Sequence, residues 1–137
     1  MNQHTYLRAY MAGIVVPTIL LLAGAAAFTI ARYVYNFPIP IERVIIFPMA
    51  VVPNAWGLWN VLFIASRSRL RIPIGLHGAL LPFLLAPLGI LLTYLLRFSI
   101  PGFATNIFPV IAPLGLIVYY LVWKYFVGTL NRIVNLT

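Results

Sequence analysis

Residues 47–60, FPMAVVPNAWGLWN, are an apolar stretch that carries two prolines, two tryptophans and two asparagines. The surrounding run is long enough to place these groups at bilayer depth, because a spanning helix needs about 20 mainly apolar residues. The cluster that follows, Arg67, Arg69 and Arg71, orients the neighbouring segments, since Lys and Arg favour the cytoplasmic side of a membrane.

The composition extends this reading to the whole chain. Its 137 residues are 64% hydrophobic and 7% charged, against roughly 25% charged in soluble globular proteins. Such a chain cannot keep a wetted surface, and its length allows one transmembrane domain over residues 1–137. With no cysteine, disulfides, thiolate nucleophiles, iron–sulfur ligation and cysteine–zinc sites are excluded. Nine Lys and Arg against the single acid Glu42 give +8, which in a soluble domain would suggest nucleic acid. Here the basic residues sit at the ends of apolar runs, where they can meet anionic lipid headgroups. A contiguous basic stripe with aromatic platforms is lacking, so no nucleic-acid partner is expected.

The pattern predicts an all-α integral membrane protein, a four-helix up-down bundle with helices over about 9–33, 42–65, 74–98 and 104–126. Arg8, the apolar run from Met11 and the Ala25, Ala27 pair imitate a secretory signal, but the run continues through Phe28 and Ile30 to span length. Ala23, Gly24, Ala27 and Ala31 offer small-xxx-small spacing for close helix approach, or simply fill a span. VYNFPIPI, residues 34–41, makes the first break, because its prolines push the residues before them into extended conformations. Glu42 then falls in a first helical turn, where the helix dipole favours a carboxylate, with Arg43 adjacent as a partner. SIPG, residues 99–102, makes a later break, and the tail VGTLNRIVNLT, residues 127–137, extends the last helix along the interface.

With the arginine cluster inside, helix alternation puts both termini in the cytoplasm, at a plasma or inner membrane. Arg8, Arg67, Arg69, Arg71, Lys124 and Arg132 then face the cytoplasm against Arg32, Arg43 and Arg97 outside, as charge asymmetry requires. Tyr6, Tyr10, Trp123 and Tyr125 form an inner aromatic belt, and Tyr33, Tyr35, Phe98 and Phe103 an outer one.

Three spans each carry a proline pair: Pro48 with Pro53, Pro82 with Pro87, and Pro109 with Pro113. A proline removes an i to i−4 hydrogen bond, so kinks are expected near mid-membrane. The carbonyls freed there need a neighbouring helix, a water or a cavity. Residues 86–96, APLGILLTYLL, also align without gaps to residues 112–122, APLGLIVYYLV. Read as a duplication, they form the inverted repeat from which many transporters are built; read as chance, they are two short apolar segments.

Pro53, Trp56, Gly57 and Asn60 share one helical face, and Asn54 lies about 100° from Pro53. That face either lines a cavity, together with the midplane prolines Pro87 and Pro113, or packs against other helices with the asparagines as interhelical glue. Two histidines and one carboxylate are too far apart along the helices for a triad or a metal site. His77 reads as an interfacial side chain; no cofactor, metal or catalytic residue is expected. In an extended loop Arg67, Arg69 and Arg71 point to one side, where they would meet lipid phosphate. The function expected is that of a non-catalytic membrane component that packs as a homo-oligomer or as an accessory subunit. An oligomeric channel or carrier for a small anionic or weakly polar solute is the alternative, and a lipid-modifying enzyme ranks third.

Overall fold

A computed structural model describes residues 4–39, 41–97 and 102–136, with side chains omitted at 43, 48 and 102–105. Among them the fold is all-α: α1 (Thr5–Tyr33), α2 (Ile41–Val44), a π-helical turn (Ile45–Met49), α3 (Ala50–Ser66), α4 (Ile74–Leu95), α5 (Gly102–Val122), a second π-helical turn (Trp123–Val127) and α6 (Gly128–Ile133). Four helical segments are long and apolar enough to cross a membrane, Thr5–Tyr33, Ile45–Ser66, Ile74–Leu95 and Asn106–Ile133, and they fit an integral membrane protein. Residues 99–101 of the expected break, the belt residue Phe98, and the side chains of Arg43, Pro48 and the belt residue Phe103 lie outside what the structure describes.

The helices continue through their internal prolines, Pro17 in α1, Pro53 in α3, Pro82 and Pro87 in α4, and Pro109 and Pro113 in α5. In an apolar solvent a helix is the only local way to satisfy the backbone, so even a proline-bearing apolar run stays helical. Left-handed residues follow the ends of α1, α4 and α6: Asn36, Arg97 and Asn135 have φ of 54°, 52° and 56°. At Asn135 the stop is a Schellman motif, in which the Leu136 N–H donates to the Asn131 carbonyl at 2.8 Å and the Asn135 N–H to Arg132 at 3.0 Å. Asparagine tolerates this conformation better than most residues with a Cβ.

α1 packs chiefly on α3, and α4 chiefly on α5. The α1–α3 contact is backbone on backbone: a Cβ added at Gly13 would sit 2.7 Å from the Trp56 carbonyl oxygen and 2.9 Å from the Gly57 Cα. One added at Gly57 would strike the Tyr10 ring at 2.6 Å. Lipid offers helices no hydrophobic drive to associate, so this close van der Waals contact holds the pair together. On α4, Gly78 seats Trp123 and Gly75 seats the Tyr120 ring, so a Cβ at Gly78 would fall 1.9 Å from the Trp123 Cγ.

The core lies at one end. Trp56, Leu81, Leu85, Trp123 and Val127 form it, near residues 67–73, which join α3 to α4. No described residue of 18–55 or 86–122 is buried. At the far end the Arg32 guanidinium donates to the Glu42 carboxylate at 3.0 Å.

Candidate functional site

Three consecutive turns of the last span bring its side chains to the loop end. Trp123, Val127 and Asn131 are each fully buried, at a spacing of four that overshoots by about 40° per step in a regular α-helix. The π-turn over Trp123–Val127 fits one more residue into its turn and keeps all of them facing inward. The same helix turns Lys124, Gly128 and Arg132 toward a different surface.

Inside, the buried amides form a closed set. The Asn60 Nδ2 donates to the Ala9 carbonyl at 2.7 Å and to the Asn131 Oδ1 at 2.8 Å, and the Asn131 Nδ2 donates back to the Asn60 Oδ1 at 2.9 Å. Both side chains are 0% exposed, so these bonds replace water and tie α3 to α1 and α6. His77 is buried as well. Its Nε2 lies 3.0 Å from the Trp59 carbonyl, while the Trp59 indole N–H donates to the His77 carbonyl at 2.8 Å. A carbonyl only accepts, so Nε2 carries the ring proton. The imidazole stacks on Trp59 at 4.9 Å and packs against Phe63 at 5.2 Å. This differs from the interfacial position expected for His77, and Trp123 likewise fills the core and not an aromatic belt. Both shifts have one cause: Gly75 and Gly78 admit the fourth span so closely that its aromatic side chains cover this turn of α4.

Trp56, Gly57 and Asn60 therefore face α1 and the last span as packed residues, with Pro53 half-buried on the same helix. Asn54 is exposed, yet its amide is engaged: Nδ2 donates to the Ala50 carbonyl at 2.7 Å, and Oδ1 accepts from the Tyr10 hydroxyl. It borders an open groove of about 610 Å³ between α3 and α4, with Leu58, Leu84 and Leu88 among its walls. Pro87 and Pro113 are exposed on α4 and α5 and do not meet the asparagines.

Outside the core, a cavity of about 650 Å³ opens at the loop end, and Arg67, Arg71, Lys124 and Arg132 line it. Arg69 is not among its walls, because residues 67–69 form a turn in which the Arg69 and Leu70 N–H groups both donate to the Ser66 carbonyl, at 2.9 and 2.8 Å. The alternation of an extended strand is lost there. Arg67 is partly committed, donating to the Leu136 carbonyl at 2.9 Å. The single acidic side chain of the chain, Glu42, is held by Arg32 at the far end; its own backbone N–H first, and then the Arg32 guanidinium, keep its carboxyl below the usual carboxylate range.

The chain matches no family model, no curated protein and no solved structure. The chemistry available is that of these side chains alone: neutral hydrogen bonds inside and positive charge at the loop end. Among the described residues, no three His, Cys, Asp or Glu side chains converge. Sequence reading missed Asn131, and it placed Lys124 and Arg132 at the interface without joining them to Arg67 and Arg71. The signal was the spacing of 124, 128 and 132, which puts those residues on one face once the helix is carried past residue 126.

Proposed function

We propose that the protein is a non-catalytic membrane component that works by packing its helices against further transmembrane helices, either copies of itself or another subunit. In this reading the bundle runs up and down with proline-kinked spans and both termini in the cytoplasm. One contrast carries it. Gly13, Gly57, Gly75, Gly78 and Gly89 each meet a neighbour so closely that an added Cβ would lie at 3.0 Å or less, whereas among the described residues Gly24 and Gly115 have no such neighbour within 4 Å. Gly24 stands beside Ala23 and Ala27, both exposed, on a smooth strip that another helix could approach as closely as α3 approaches α1.

The chain has no cysteine, so an introduced thiol is the sole one. Gly24→Cys, Ala27→Cys and Gly115→Cys should each form a disulfide-linked homodimer or, with a cysteine-bearing subunit, a heavier adduct in native membranes. Phe83→Cys and Ile90→Cys, equally exposed on α4, should not. Adducts at all five positions, or at none, would overturn the proposal. Reporter fusions at residue 70 and at the C terminus should both report cytoplasm.

The channel or carrier reading is favoured by Asn54, which borders the groove between α3 and α4. A solute there would have to displace the bonds to Tyr10 and Ala50, which ranks this reading second. Flux into proteoliposomes that is abolished by Asn54→Leu would reverse the order.

A further inference from the structure

We infer that the loop-end cavity is a binding site for an anionic glycerophospholipid, with the headgroup phosphate among Arg71, Lys124 and Arg132 and an acyl chain in the groove beside them. Four cations line the cavity, and the only acidic side chain of the chain is Glu42, bonded to Arg32 at the far end. Their mutual repulsion is relieved by no carboxylate side chain of this protein, so the site calls for an outside anion. Pro73 and Ile74, the N-cap and the first residue of α4, also border the cavity. Pro73 makes no side-chain capping bond to that helix, so free N–H groups of a 22-residue helix add positive potential on the same side.

A second observation points to a lipid over a soluble phosphate. An apolar groove of about 490 Å³ runs between α1 and the last span, walled by Val16, Ile19, Leu20, Phe126 and Leu130, and it shares Tyr125 with the basic cavity. Tyr125 thus stands where a cavity rimmed by cations meets an apolar trough, the position its amphipathic ring suits. Phosphate at one side of it and hydrocarbon at the other is the layout of a phospholipid at the membrane surface. Basic pockets between transmembrane helices are known to take such headgroups.

The site differs in composition from a general arginine-loop contact, and this makes it testable. Wild-type protein in phosphatidylcholine nanodiscs is titrated with dioleoyl phosphatidylglycerol, and bound lipid is counted by native mass spectrometry. Removing one cation should weaken occupancy about fivefold. Lys124→Gln and Arg132→Gln should each do so, and the double variant should lose about 25-fold by the same measure. Arg69→Gln, outside the cavity, should stay within about twofold of wild type, and Arg132→Lys should retain most of the binding. Equal losses in Arg69→Gln and Arg132→Gln would reduce the effect to diffuse surface charge and overturn the site. Phosphatidylcholine bound as well as phosphatidylglycerol would overturn it too. Glycerol 3-phosphate and inorganic phosphate should bind delipidated protein far more weakly than the lipid; either one binding as tightly would assign the cavity to a soluble anion and refute the lipid.

Discussion

Replacing Asn60 with alanine removes its one bond to Ala9 and both bonds of the reciprocal pair with Asn131. Interhelical hydrogen bonds in membranes average about 0.6 kcal/mol, so Asn60→Ala should cost about 2 kcal/mol and Asn131→Ala, which loses only the reciprocal pair, about 1 kcal/mol. The two substitutions share those reciprocal bonds. The double variant should therefore cost about 2 kcal/mol instead of the additive 3, a coupling of about 1 kcal/mol that exceeds the roughly 0.3–0.5 kcal/mol scatter of independent sites. Unfolding in mixed micelles with rising dodecyl sulfate can be followed by intrinsic fluorescence, because the tryptophans, Trp56, Trp59 and Trp123, lie in or beside the core. Additivity within about 0.3 kcal/mol would refute the amide pair as a bond between helices.

Gly78→Ala should destabilise the protein by about 1–3 kcal/mol, because the new methyl overlaps Trp123 in a filled core; the same titration measures it. Gly13→Ala should cost at least as much, since its methyl meets the rigid backbone of α3 and no rotamer change can relieve the contact. Glu42 has a depressed pKa, so its contribution is present above the ordinary carboxylate range and is lost as pH falls through the depressed value. Arg32→Gln should raise the Glu42 pKa only part of the way to normal in an NMR titration, because the hydrogen bond from its own backbone N–H, the largest single cause of the depression, remains.

The four spans were legible because hydropathy and length define them locally, and so was the loop at Arg67–Arg71. The end of the last span was legible in part: the tail is expected to extend the helix, and it does so to Ile133, although Val127, Gly128 and Thr129 are weak helix formers whose cost the burial of Val127 and Asn131 outweighs. The amide pair joins residues 71 apart in sequence, and nothing at either position announces the other. Glu42 bonds to Arg32 across the turn, a partner ten residues away that its immediate neighbours do not announce. Ala23, Gly24, Ala27 and Ala31 had the spacing for close approach, but the chain makes that approach at Gly13 and Gly57. Closeness needs small residues on two facing helices at one depth, and a single helix shows only half of that condition.

The APLG tetrapeptide gives this argument its sharpest form, since it occurs at 86–89 and again at 112–115 with opposite results. Gly89 receives the Phe47 ring, 3.0 Å from where its Cβ would be, while Gly115 meets no described residue within 4 Å. The local sequence is the same, so the neighbours make the difference: α4 has the second span beside it, and the matching face of α5 has no neighbour among the described residues of its own chain. Gly89→Leu should then destabilise the isolated chain by about 1–3 kcal/mol, as Phe47 is forced aside. Gly115→Leu should leave the unfolding midpoint in place and instead shift the mass of the gently extracted protein toward the monomer. Equal loss of stability in both variants would mean that Gly115 is already packed in the folded chain. An unchanged mass in Gly115→Leu would remove this face from any assembly.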